Sequence, residues 1–139
     1  MADYFTHFSC LLDVGTPANA LSAHRLYTKQ RLEDADSDDP VCSGFDLTLQ
    51  EGDDAHILWI HDDVSGDIDQ VIGFVLRLAH EFDLTGLWGF AHANTCSRPR
   101  VDAFGGGAHV IDLRARKSIG WISTKDWLTA VLNGEDLDA

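Results

Sequence analysis

Apolar residues occupy both parities of the first stretch, with Tyr4, Phe8, Cys10, Leu12 and Val14 on one and Phe5 and Leu11 on the other. That pattern predicts a central strand buried on two sides. Thr16-Pro17 follows as an N-cap and a first-turn proline, opening a helix from Pro17 to about Glu33. Its stripe (Ala20, Leu21, Ala23, Leu26, Tyr27, Leu32) is thin, as for a surface helix that buries part of one face. Residues 34–43 are acidic and contain a proline, and are expected to form a mobile loop. Phe45, Leu47 and Leu49 alternate with polar residues, residues 51–54 supply a turn, and residues 56–61 return as a strand apolar on both parities. The clearest helix spans 68–82, where Ile68, Val71, Ile72, Val75, Leu78, Ala79 and Phe82 keep helical spacing. Asp67 and Gln70 read as a capping box, and Gly73 as a point of close packing on the sheet. Gly86 precedes a strand at 87–93, and two more strands at 109–113 and 118–122 flank a turn. Ser123 and Asp126 frame a last helix with Trp127, Leu128, Val131 and Leu132, closed by Gly134.

The order is βαββαβ, then a β-hairpin and a helix. The expected fold is one α+β domain over residues 1–139 with an antiparallel-rich sheet. Its first six elements resemble the ferredoxin-like, split-βαβ superfold, extended by a C-terminal β-hairpin and helix. That topology puts the first and third strands in the middle, the two read here as apolar on both faces. The resemblance is to a superfold and implies no activity.

Charge is unevenly spread. Residues 1–87 hold 17 acidic and 4 basic side chains, the whole net charge of −13, while residues 88–139 hold 6 of each. Duplex nucleic-acid binding is therefore not expected, because its affinity rests on Lys and Arg neutralising phosphates. A basic protein partner is favoured, as is plain solubility. No apolar stretch nears the length needed to span a bilayer, and the N-terminus lacks the pattern of a signal peptide, so a cytoplasmic location is expected. Cys10, Cys42 and Cys96 are odd in number and far apart, which argues against a disulfide framework or a zinc ribbon. Cys10 is expected to be inert in its strand, and Cys42, in a polar loop, to be reactive.

One segment is poorly explained by packing. Residues 94–109 combine Cys96, Arg98, Arg100, Asp102, Gly105, Gly106, Gly107 and His109. Read as loop or irregular strand, it has glycines that would free backbone N–H groups to cradle an anion. Arg98 and Arg100 would supply planar donors, Arg114, Arg116 and Lys117 more positive charge, and His109 a further hydrogen bond. Cys96 is a weaker candidate nucleophile, activated by His92 or His109 with Asp102 orienting the imidazole. Neither a P-loop nor a GxGxxG spacing occurs. The seven histidines show no metal-ligand spacing, so no metal or other cofactor is expected. Trp59, Trp88, Trp121 and Trp127 are expected in the core, or, where a sheet face is uncovered, in a binding platform.

The function expected is that of a small acidic, noncatalytic interaction or regulatory protein with a basic partner. The alternative is a domain or enzyme for a small anionic ligand, with its site in the 94–109 loop. A homodimer through a sheet edge or face is compatible with either.

Overall fold

In the computed structural model, which describes residues 3–101 and 103–135, the chain is α+β with three helices and antiparallel sheets. The elements are β1 (Tyr4–His7), β2 (Ser9–Asp13), α1 (Pro17–Asp34), β3 (Asp46–Leu49), β4 (Ile57–His61), α2 (Ile68–Phe82), β5 (Leu87–Cys96), β6 (Gly105–Asp112), β7 (Lys117–Ser123) and α3 (Thr124–Leu132). One sheet has the order β1-β5-β6-β7 and the other β2-β4-β3. Among the described residues, no helix is long and apolar enough to cross a membrane.

The first strand is not one strand. It breaks at Phe8, so that Tyr4–His7 pairs with Ala93–Cys96 while Ser9–Asp13 pairs with Ile57–His61. It is also not buried on both faces. Phe8, Leu12 and Val14 are in the core, but Leu11 is exposed, and on β4 Leu58 and Ile60 are buried while Trp59 faces out. Apolar residues on both parities here mean one core face and one bare face. The Trp59 ring lies on His61 at 4.0 Å, and its indole N–H donates to Ser9 Oγ.

α1 begins where expected, with the Thr16 hydroxyl accepting from the Asn19 amide and Pro17 at the first turn. Its core contribution is Ala20, Ala23 and Tyr27, whereas Leu21 and Leu32 are exposed. α2 has the predicted bounds, and Val71, Phe74, Val75, Leu78 and Ala79 bury its stripe. The capping box is incomplete. Asp67 accepts from the Asp69 and Gln70 amides, but Gln70 turns its carbonyl to the Gly44 amide at 2.7 Å. Gly73 lies on the exposed face with nothing within 4 Å of a built Cβ, so it packs on no sheet.

Residues 34–43 are pinned by a buried carboxylate. Asp34 accepts from the Val41 and Cys42 amides, the Ser43 hydroxyl and the Gln30 amide. Burial opposes its charge, but these bonds prevail and hold its pKa below the usual carboxylate range. Cys42 is drawn into the core by the same anchor, which corrects its expected exposure. Its thiol pKa is pushed up to about 11, first by burial and then by Asp34, and that of Cys10 to about 12 by burial.

Two outcomes are expected. Val75→Asp should abolish the cooperative thermal unfolding transition followed by circular dichroism, because Val75 is 0% exposed and an unpaired charge there has no partner. A native-like melt would remove α2 from the core. Brief maleimide labelling with mass spectrometry should modify Cys96 before Cys10 and Cys42, since the thiolate is the reactive form. Cys42 labelling first would contradict its burial.

Candidate functional site

The segment singled out by its composition is mostly sheet. β5 continues through Cys96 and β6 starts at Gly105, with Asn94 opposite Gly105, Ala93 opposite Gly106 and His92 opposite Gly107. None of the three glycines has positive φ, so they form no left-handed anion cradle. Their role is steric. A Cβ on Gly106 would meet the His92 carbonyl, and one on Gly107 the Ile122 carbonyl and the His92 ring. The Gly106 amide donates to Thr124 Oγ1 at 3.0 Å.

Arg98 and Arg100 are exposed on the connection between β5 and β6, and Asp102 lies outside the described residues. His109 is four positions into β6, about 13 Å from Gly105 at strand spacing. It pairs with Phe90 and Trp121, and its Nε2 shares a 2.6 Å hydrogen bond with Ser118 Oγ. Arg114, Arg116 and Lys117 stand at the opposite end of that hairpin, where Arg116 meets Asp83 at 3.4 Å. Cys96 pairs with Tyr4, and His92 is four residues back along the same strand, again about 13 Å away. The arginines, His109 and Cys96 therefore do not converge.

Two constellations come from residues distant in sequence. In the first, Asp62 accepts from His7 Nδ1 at 2.8 Å, and His7 Nε2 meets Thr95 Oγ1 at 3.0 Å. The ionised carboxylate can only accept, so Nδ1 carries the proton, and the Thr95 hydroxyl donates to Nε2 when the ring is neutral or accepts from it when the ring is charged. Carboxylate, imidazole and hydroxyl thus stand in the order of a nucleophilic triad. The setting is that of a clamp. Thr95 sits within β5 opposite Phe5, and none of the described cavities includes His7 or Thr95. The other Asp62 oxygen accepts from the Phe8 amide, and the Asp62 amide donates to the Phe8 carbonyl, so this chain holds the strand break. Burial opposes the Asp62 charge, and the bonds to His7 and Phe8 outweigh it and lower its pKa.

The second constellation is a pair of cavities sharing Trp121. One, about 660 Å³, lies between the first turn of α2 and the sheet, and takes in Asp67, Asp69, His92, His109 and Ser118. The other, about 630 Å³, lies between β7 and α3 and takes in Asp126, Trp127 and Glu135. Trp121 is 74% exposed and forms the ridge between them. No residue of α3 is buried, and Trp127, Leu128, Val131 and Leu132 all keep exposed surface. The sequence signal for this region was the apolar spacing of α3, which reads equally well as core. Nothing in the one-dimensional pattern aligns His92, His109 and Trp121, because each comes from a different strand.

Asp62→Asn should lower stability at neutral pH by about 1–3 kcal/mol, the penalty for leaving polar partners unpaired. The folded carboxyl titrates below its unfolded value of about 3.9, so its contribution is present above that pH and lost as pH falls through the folded value. Urea unfolding of wild type and variant should show a gap at pH 7 that closes below about pH 4. A gap independent of pH would show that the carboxylate charge is not what holds the break.

Among known proteins, no family model matches this chain, and neither a curated protein nor a solved structure matches it.

Proposed function

We propose that the chain is a noncatalytic interaction module that grips a basic protein segment at the Trp121 ridge. The observation that carries the reading is an indole 74% exposed between two cavities edged by carboxylates, neither lined by a lysine or arginine among the described residues. Ile122 and Trp127 line the cavities beside it, and Ile119 on β7 and Leu128, Val131 and Leu132 on α3 are exposed as well. Tryptophan is the residue type most often found to anchor an interface. The net charge of −13 favours a basic partner and speeds the encounter.

The same reading takes residues 4–96 as a ferredoxin-like βαββαβ core with its first strand broken at Phe8. Its support is the pairing order. β1 and β2 together stand between β5 and β4, β3 lies beyond β4, and β6, β7 and α3 are the extension. Such a core carries no activity with it, so the functional reading rests on the ridge. The cysteines are free thiols, which suits a reducing compartment, and the proposed location is the cytoplasm. An anionic ligand held by Arg98, Arg100, Gly105, Gly106, Gly107 and His109 has less behind it, because these groups are spread along a hairpin.

Selection of binders from a random peptide library displayed on phage tests the reading. Enriched peptides should carry lysine or arginine beside an apolar residue. Their affinity should fall tenfold or more on raising salt from about 50 to 500 mM, and again in the Trp121→Ala, Trp127→Ala double variant. Acidic or neutral winners, or binding indifferent to both tryptophans, would overturn it. So would a concentration-dependent dimer that the double variant abolishes, since a second copy would then occupy the ridge.

A further inference from the structure

The cavity on the α2 side of Trp121 specifies what enters it. Its polar lining holds the Asp67 and Asp69 carboxylates, which only accept, and the Thr6, Ser118 and Ser123 hydroxyls and His92 and His109 imidazoles, which can accept as well as donate. Two of the amides that an anion would use at the start of α2 are taken, because Asp69 and Gln70 bond to Asp67 Oδ1 at 2.9 and 3.4 Å. The rings of His109 and Trp121, on the neighbouring strands β6 and β7, form one wall. His109 and Trp121 lie within 17° of parallel with centroids 6.1 Å apart, and the outermost ring is the bare one. Ile68 and Ile72 supply an apolar side opposite. His92 Nδ1 is shut away from solvent with no hydrogen-bond partner among the described residues. Burial, and then the nearness of His109, hold that imidazole below its usual pKa, so it adds no positive charge at neutral pH.

We infer that this cavity is a guanidinium slot, which takes an arginine side chain of the partner, stacked flat on Trp121 and hydrogen-bonded to Asp69 and the neighbouring hydroxyls. The inference deepens the interaction reading and rests on it. Three properties of the group match the cavity. Guanidinium is planar, and a cation over a tryptophan face is attracted by the ring quadrupole. It carries five donors and no acceptor, the complement of a lining rich in acceptors. It is more weakly hydrated than an ammonium, so it enters a half-apolar space at a smaller desolvation cost. Lysine brings the same charge without the flat face or the fork of donors.

The test uses the full chain labelled with ¹⁵N and three probes: tri-arginine amide, tri-lysine amide and agmatine. Tri-arginine should shift the Trp121 indole N–H and the His92 and His109 ring resonances, with an affinity at least tenfold above that of tri-lysine at equal charge. Trp121→Ala and Asp69→Asn should each weaken tri-arginine severalfold while leaving the thermal melt unchanged, since both side chains are exposed. Agmatine that binds as tightly as tri-arginine would overturn the peptide source, making a free guanidino compound the occupant. Agmatine much weaker than the peptide supports the arginine of a partner. Equal binding of tri-arginine and tri-lysine, or shifts that map away from Trp121, would overturn the slot. Phage-selected peptides that need Trp121 but show no arginine preference would overturn the slot and leave the interaction module standing. Loss of all Trp121-dependent binding would remove both.

Discussion

Both sheets depend on the break in the first strand at Phe8. There the backbone leaves one ladder and joins another, and Asp62 occupies the gap with its own amide and carboxylate. The Phe8 side chain turns into the core against Phe90, close enough to Gly66 that a Cβ there would meet its ring at 2.5 Å. Because the two halves serve different partners, β5 is paired to the first strand only over Ala93–Cys96. Its earlier part is tied across instead by the Trp88 indole, which donates to the Leu11 carbonyl at 2.7 Å. The His7 imidazole links the Asp62 anchor to Thr95 on β5, so one hydrogen-bonded chain spans the junction.

Past that junction the helices cover less of the sheet. α1 and α2 close over β2, β4 and part of β5 and β6, where Leu58, Ile60, Phe90 and Ile111 are buried. Toward β7 the same face is left open, and Asp67, Asp69, His92, His109 and Trp121 line the cavity there. The charge pattern acts with this opening. The negative surplus is carried by residues 1–87, whereas β6, β7 and α3 come from the neutral remainder. In the proposed interaction, the acidic residues of 1–87 would supply long-range attraction to a basic segment and β7 and α3 the apolar contact.

Elements governed by local chemistry were legible. α2 has the predicted bounds because its stripe, its Asp67 cap and its spacing agree. α1 opens at Thr16-Pro17 for the same reason. The errors share one origin, which is that composition does not reveal what lies across from a residue. Gly105, Gly106 and Gly107 looked like a loop or irregular strand, and they lie in β6, where carbonyls on β5 and β7 leave no room for a Cβ at Gly106 and Gly107. Cys42 looked exposed in an acidic segment, and it is buried because one carboxylate in that segment turns inward to bind the loop's amides. Apolar residues on both parities of residues 4–14 and 56–61 looked like double burial, and they include a face with no cover.

By itself the sequence determined the helices, the alternation that makes strands, the absence of a membrane-spanning helix among the described residues and the placement of charge. Each of these follows from neighbours within one or two turns, or from counting. Only the tertiary structure decided which strands meet, where the first strand breaks and which apolar residues remain bare. It also decided that His92, His109 and Trp121 share a cavity while Arg98, Arg100 and Cys96 do not. These depend on register between strands far apart in sequence, and a shift of one residue exchanges the two faces of a strand. Short-range pattern carries no information about that register, and the cavity's residues meet only through pairing across β5, β6 and β7.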